Sequence, residues 1–307
     1  KWSKATDVVH TYILARATER QGELVDVDTA SPEGVQEAHL YITPKRRMGV
    51  GNHSYIYQAE LELPRELLVK PKTCAICSCE GEAIAKEEEE DHVREIHEIK
   101  KQHAPYCEHL DDGVPRPKTA KVSVTAKLTM PRSRSENHEQ HLSNEAWNYM
   151  NFPDSFFEHW NGYNIIRPCH DPVPVGAVVP QFYGYYRPEE KGKGFKSPIL
   201  LLEHCGVQAN MRSLTLEERR ECWSLIERLH LGGFVHNSVY ERNVLIQNGP
   251  VQWSPFRRSS LHPRFRLIDF GRCEEVDECG GNAYTEHDRT DRQFRLDFLH
   301  DKDHDYD

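Results

Sequence analysis

Between residues 215 and 271 the chain strings together a capped helix, a polar loop, two apolar segments and an acidic turn. That order commits it to a mixed α+β fold. Thr215-Leu216-Glu217-Glu218 is a capping-box signature, because a Thr side chain and a Glu three residues later satisfy each other's backbone N–H groups. Cys222, Leu225, Ile226 and Leu229 then recur at helical spacing until Gly232-Gly233 stops the helix. The loop Phe234 to Asn243 follows, then Val244-Leu245-Ile246, a turn at Asn248-Gly249-Pro250, and a second apolar strand from Phe265 to Ile268. The strand ends in Asp269-Phe270-Gly271.

Upstream, Gly49-Val50-Gly51 makes a tight turn into a strand that carries Tyr55, Tyr57, Ala59 and Leu61 on one face. Residues 10–30 suggest only a short helix before a polar stretch. Residues 70–118 read as an insertion, with a Cys cluster and a charged run from Lys86 to Asp91. Strand character returns at Val122 to Leu128, where a period of two sets Val122, Val124, Ala126 and Leu128 against Ser123, Thr125 and Lys127. A helix is expected over 139–150, with Leu142, Ala146 and Tyr149 at helical spacing and Glu145 on a neighbouring face. Residues 165–187 suggest short strands, and Pro198 to Glu203 a buried one.

Composition bounds the function. The 307 residues carry 39 Lys+Arg and 49 Asp+Glu, a formal charge of −10, so no overall positive field draws in a nucleic-acid backbone. No apolar run reaches the roughly 18 residues that suggest a membrane span, and the nine unevenly spaced Cys do not read as a disulfide framework. The expectation is a soluble intracellular protein, cytoplasmic or nuclear, with a protein substrate or protein partner, no nucleic acid and no membrane.

A nucleoside triphosphate needs a cover over its phosphates, a cation for the α and β oxygens, a carboxylate to hold that cation, and oxygen ligands for Mg²⁺. The chain offers candidates in that order: Gly49 and Gly51, Lys127, Glu145, then Asn243 and Asp269. The stretches GVGNHSYIY, VTAKL, NEAWNYM, ILLLEHCG, FVHNSVYERNVL and FRLIDFG together resemble the protein-kinase-like superfamily. Their flavour is similar to the divergent protein-kinase-like domains of basidiomycete fungi. The resemblance implies a two-lobed α+β fold: an N-terminal extension over 1–40, a β-rich lobe over 41–202 and an abbreviated helical lobe over 203–285. An acidic tail over 286–307 completes the division. It further implies ATP and Mg²⁺ as cofactors, Lys127 as the strand lysine paired with Glu145, and a hinge from Glu203 to Cys205 that meets adenine through backbone groups. Asn243 and Asp269 would be the metal ligands. His236 would brace the loop rather than act as a base, and Cys205 would sit near the nucleotide.

Departures accompany the match. Ser54 stands where the third glycine of the loop usually lies. Ser238 holds the place of the catalytic-loop Asp, and a hydroxyl near neutral pH cannot replace a carboxylate base. Glu241, three residues on, is the candidate stand-in. Transfer of the ATP γ-phosphate to protein Ser or Thr hydroxyls is therefore one expected activity, and a nucleotide-binding scaffold without turnover the alternative. Small-molecule kinases share the His-to-Asn loop, but the Asp-Phe-Gly form and the glycine loop favour the protein-kinase-like branch. Only 36 residues follow Gly271, with Phe294, Leu296 and Phe298 as the apolar residues available to pack a terminal segment.

Other clusters have plainer readings. Cys74, Cys77 and Cys79, with His103 and Cys107, have partial zinc-ligand spacing, but small incidental thiols are the simpler account. Cys222 reads as core packing, its neighbour Trp223 as a lobe-interface residue, and Arg257, Arg258 and Arg264 as an exposed basic loop.

Overall fold

The computed structural model describes residues 10–18, 23–26, 38–51, 53–64, 119–131, 138–157, 163–165, 173–174, 176–189, 196–247, 264–277 and 280–294. The expected insertion with Cys74, Cys77, Cys79, His103 and Cys107 lies outside them, as do the Asn248 turn, Arg257, Arg258, Leu296 and Phe298.

Seven strands form one antiparallel sheet: β1 (Tyr12–Ala17), β2 (Leu24–Asp26), β3 (His39–Val50), β4 (Ser54–Pro64), β5 (Thr119–Thr129), β8 (Phe182–Pro188) and β9 (Ile199–Glu203). Their spatial order is β2-β1-β8-β9-β5-β4-β3. The short pair β6 (Tyr163–Asn164) and β7 (Val173–Pro174) lies in the chain between β5 and β8. On β5 the period of two holds: Val122, Val124 and Ala126 join Ala59, Leu61, Ile199 and Leu201 in an apolar cluster on one face. Lys127 pairs in register with Ile56 and Leu200 and so faces the other side. That side is covered by helix α1 (His138–Asn151), within a residue of the expected bounds at each end, which contacts β1, β5 and β8.

After β9 come β10 (Val207–Gln208), helix α2 (Leu216–Leu231), β11 (Phe234–Val235), β12 (Val244–Gln247), β13 (Arg264–Leu267), β14 (Glu274–Glu275) and helix α3 (Gly281–Phe294). The capping box of α2 is present in both halves: Glu218 N–H donates to Thr215 Oγ1 at 3.2 Å, and Thr215 N–H donates to Glu218 Oε2 at 2.7 Å. The expected hairpin is β12 paired antiparallel with β13. Gly232, at the end of α2, is required by packing, since a Cβ there would collide with the ring of Phe156. A single large cluster joins α1, β8 and β9 to α2, β13 and the end of α3.

One expectation is corrected. Residues 12–17 and 24–26 are strands, not a short helix, and they add two strands to the β8 edge of the sheet. A six-residue strand finds its stability in ladder pairing rather than in any helical stripe. The boundary expected at residue 40 thus falls inside the sheet. The boundary at 285/286 falls inside α3, whose Glu286, Thr290 and Phe294 are buried at i, i+4 and i+8. Trp223 is fully buried, edge-on to the His287 ring of α3 at 5.2 Å, in the cluster that joins the helices to β8 and β9.

Because Phe294 has no exposed surface and belongs to the main cluster, Phe294→Ala should cost about 3–5 kcal/mol in chemical denaturation. Tyr284→Ala, on the exposed face of the same helix, should stay within about 0.5 kcal/mol. Equal effects would mean that α3 does not pack as described.

Candidate functional site

The alternation of β5 leaves Lys127 beneath α1, and a cation taken from water must find partners there. Its Nζ donates to Glu145 Oε2 at 2.6 Å and to Asp269 Oδ1 at 3.2 Å. Lys127 is 7% exposed and Glu145 2%, whereas the Asp269 side chain is 48% exposed. Burial alone would lower the Lys127 pKa, but the two carboxylates outweigh it and hold the ammonium charged above the ordinary lysine range. Asp269 is held below the usual carboxylate range, chiefly by the Lys127 charge. Burial pushes Glu145 up against the pull of Lys127. One ammonium between two carboxylates leaves a surplus acceptor, and the half-exposed Asp269 is where it meets solvent.

Asp269 sits at φ 73°, ψ 56°, in the left-handed region that costs a non-glycine residue energy. Its neighbours on both sides hold it there. The Phe270 ring is buried edge-on against Tyr149 at 5.4 Å and Phe152 at 4.9 Å, and beside His236 at 4.8 Å. Asn148 Nδ2 donates to the carbonyls of Phe270 at 2.8 Å and Cys273 at 3.1 Å. Gly271 lets the turn approach α1, since a Cβ would press on the His141 carbonyl.

His236 is wholly buried and donates from Nε2 to the Ile268 carbonyl at 3.0 Å, while burial lowers its pKa. It braces the loop as expected. Asn243 Nδ2 donates to the Ser238 carbonyl at 2.8 Å, and the Asn243 carbonyl accepts from Ile268 N–H at 3.0 Å. The loop is thereby tied to the strand residue that leads into Asp269. Because Nδ2 is spent on Ser238, the group the amide has left to offer is its acceptor, Oδ1. Ser238 itself is buried, with Oγ 3.5 Å from Asn243 Nδ2. Glu241 lies on the 3-10 turn Glu241–Asn243 and makes no hydrogen bond to Ser238 or Asn243.

The glycines close the β3–β4 hairpin. Gly49 lies opposite Ile56, Gly51 N–H donates to the Ser54 carbonyl at 2.8 Å, and a Cβ on Gly49 would meet nothing within 4 Å. Protein packing therefore does not demand Gly49, and the space over its backbone is open to a ligand. Glu203 and Cys205 do not present their side chains. The Glu203 carboxylate accepts from Gln181 N–H and Gln247 Nε2, both at 3.2 Å. The buried Cys205 thiol donates to the Glu203 carbonyl at 3.6 Å, and burial pushes its pKa well up. Both side chains are thus turned into the protein.

One residue went unread in the sequence. Glu286 of α3 accepts from the N–H groups of His236 at 2.7 Å and Asn237 at 2.6 Å, and so fixes the start of the polar loop, where Asn237 is left-handed at φ 58°. Its Oε2 also lies 2.9 Å from His230 Nε2. Glu227 Oε1 stands 3.7 Å from the other His230 nitrogen and 2.7 Å from His287 Nδ1. The only sequence signal for Glu286 is its i, i+4, i+8 spacing with Thr290 and Phe294, which contains a single apolar residue.

Among the described residues no group of three or more His, Cys, Asp or Glu side chains is arranged to hold a metal ion. Mg²⁺ does not need one, because it takes one or two carboxylates and completes its shell with water and phosphate. No helix among the described residues is long and apolar enough to cross a membrane.

The histidine in this network predicts a pH dependence. Burial opposes charge on His230, but its hydrogen bonds to Glu227 and Glu286 outweigh it and raise its pKa to about 9. A folded-state pKa above the unfolded value of about 6.5 means that the contribution is complete below about pH 6.5 and lost as pH rises through 9. The thermal midpoint should therefore fall between pH 7 and 9.5, and His230→Asn should flatten that slope while lowering the midpoint at pH 6.5. Parallel pH profiles for the two proteins would contradict the assignment.

No family model matches the chain, and no curated protein matches it in sequence.

Proposed function

We propose that the chain is a protein-kinase-like module that binds Mg·ATP through Lys127, Glu145, Asn243 and Asp269. The observation that carries this reading is the convergence of Lys127 with Glu145, 18 residues on, and Asp269, 142 residues on, in one buried ion triad. Such a triad is costly to assemble for stability alone, because desolvating the charges offsets most of their attraction. A lysine on a strand, its helix glutamate and a metal-binding aspartate are the parts that phosphoryl-transfer sites of this class require together. The seven-stranded sheet with a helix across one face, and the polar loop braced by His236, supply the framework for them.

In this reading Lys127 contacts the α and β phosphate oxygens while Glu145 keeps its ammonium from swinging away. Backbone N–H groups of the Gly49–Gly51 hairpin approach the phosphates without obstruction. A bound Mg²⁺ would supply neutralising charge between phosphate oxygens; Asp269 and the Asn243 amide oxygen would hold it. The hinge backbone from Glu203 to Cys205 meets the adenine.

Phosphoryl transfer to Ser or Thr hydroxyls of a protein is the second reading, favoured by the closed Lys127–Glu145 pair. It lacks one part. At Ser238 a hydroxyl stands where a carboxylate accepts the acceptor's proton, and Glu241 does not hydrogen-bond into the loop to replace it. Binding with slow turnover or none is the behaviour these residues support.

Two measurements test the proposal. Mg·ATP at 100-fold excess over its dissociation constant should stabilise the protein by about 2.7 kcal/mol, with a matching rise in melting temperature. Asp269→Asn should abolish the Mg²⁺-dependent part of that rise; no shift with any nucleotide would sink the reading. In radiolabel transfer from ATP, Ser238→Asp should raise the rate about 10²-fold or more, the usual worth of a positioned general base. An unchanged rate in a variant that still binds nucleotide would show that the missing carboxylate is not what limits transfer.

A further inference from the structure

A second cation stands near the Asp269 turn, supplied by the polar loop rather than by the sheet. The β12–β13 register ends at Val244 opposite Leu267, and Ile268 N–H then donates to the Asn243 carbonyl at 3.0 Å. The next residues outward on the two segments are Arg242 and Asp269. Lys127 does most to hold the Asp269 carboxyl low, and the Arg242 charge adds to the effect. The Arg242 guanidinium lies over Tyr240, with Cζ 4.0 Å from the ring centroid. Both residues are exposed, and among the described residues no hydrogen bond or ion pair occupies the Arg242 side chain.

We propose that Arg242 binds the terminal phosphate of a nucleoside triphosphate and makes the cleft select triphosphates over diphosphates. The assignment rests on the nucleotide reading above and names what that site discriminates. Charge balance motivates it. The triad sets two carboxylates against one ammonium, and a Mg²⁺–triphosphate complex is itself still negative. Ligand and triad therefore repel unless a further positive group stands where phosphate charge is concentrated. A metal held at Asp269 would bridge the outer phosphates, so the cation beside Asp269 meets the end of the phosphate chain.

Tyr240 makes the guanidinium ready for that contact. An arginine over an aromatic ring is held by the negative face of the ring. The contact uses one face of the planar guanidinium and leaves its in-plane N–H groups to grip two phosphate oxygens at once. Lys127 is 7% exposed and shared between two acids, whereas Arg242 is exposed at the outer end. A diphosphate lacks the group that Arg242 holds.

The test is calorimetric titration of the full chain with ATP and separately with ADP, each with excess MgCl₂, in the wild type and in Arg242→Gln. The wild type should bind Mg·ATP about tenfold or more tightly than Mg·ADP, the usual worth of a charge-assisted hydrogen bond. Arg242→Gln should lower the ATP affinity by that factor and leave the ADP affinity nearly unchanged. Arg242 is exposed, so Arg242→Gln is expected to fold, and its ligand-free melting curve checks that. The ratio of two affinities within one protein is also insensitive to a general loss of stability, which would weaken both nucleotides together. Equal loss for ATP and ADP, or no loss for either, would overturn the assignment while nucleotide binding stands. Absence of binding of both nucleotides to the wild type would overturn the nucleotide reading and the assignment with it.

Discussion

A buried ammonium with two carboxylates organises this molecule. Lys127 is 7% exposed, and a lysine in that position is tolerable only while both Glu145 and Asp269 reach it. The three come from a strand, a helix and a turn that are remote in sequence. Their meeting requires α1 to lie across the inner face of the sheet and the Asp269 turn to rise against α1. Removing one partner from a buried pair costs about 3–5 kcal/mol, because the remaining charge is stranded. The triad is thus a weak source of net stability and a strong source of specificity, since arrangements that separate the partners are penalised.

The support beneath Asp269 follows from that constraint. A left-handed aspartate is strained, and the strain is offset by groups that do nothing else: Phe270 sealed among Tyr149, Phe152 and His236, and Asn148 bound to two carbonyls of the turn. A second left-handed residue, Asn237, begins the polar loop, and there a charged acceptor performs the same service. Glu286 binds two consecutive N–H groups, and His230 and Glu227 extend that contact into the body of α2 and α3. Two strained positions on either side of Asn243 in the chain are held by different helices, one by α1 and one by α3.

Much of this was legible in the residues. The capping box at Thr215, the helix around Glu145, the β12–β13 hairpin and the alternation on β5 are local patterns with a physical cause in neighbouring residues, and each stands within a residue or two of its expected place. Propensity and periodicity stop at what a segment buries by itself. Strands β1 and β2 were missed because they are short and depend on pairing with β8. Helix α3 was missed because it reads GNAYTEHDRTDRQF, with only its last residue a large apolar core side chain. Its place is set by Glu286 meeting backbone N–H groups of a distant loop, which no periodicity reports. At the site itself, spacing marked Lys127, Glu145, Asn243 and Asp269 as candidates, and no spacing could say that Lys127 would touch both acids. Nor could position along the chain say that the Cys205 side chain packs inward.

The substitution at Ser238 acquires a different weight once the electrostatics are counted. A carboxylate there would add a negative charge to a loop tied through Asn243 to the strand that leads into Asp269, whose triad already has two carboxylates for one ammonium. Ser238 adds no charge of its own and lends its carbonyl to Asn243 Nδ2, which orients that amide. Oriented oxygen ligands are what a nucleotide-bound cation needs; a proton acceptor is what transfer needs in addition. Under the proposed nucleotide reading the loop offers the first through Asn243 and no carboxylate at position 238 for the second, so that reading makes binding and turnover separable at a single side chain.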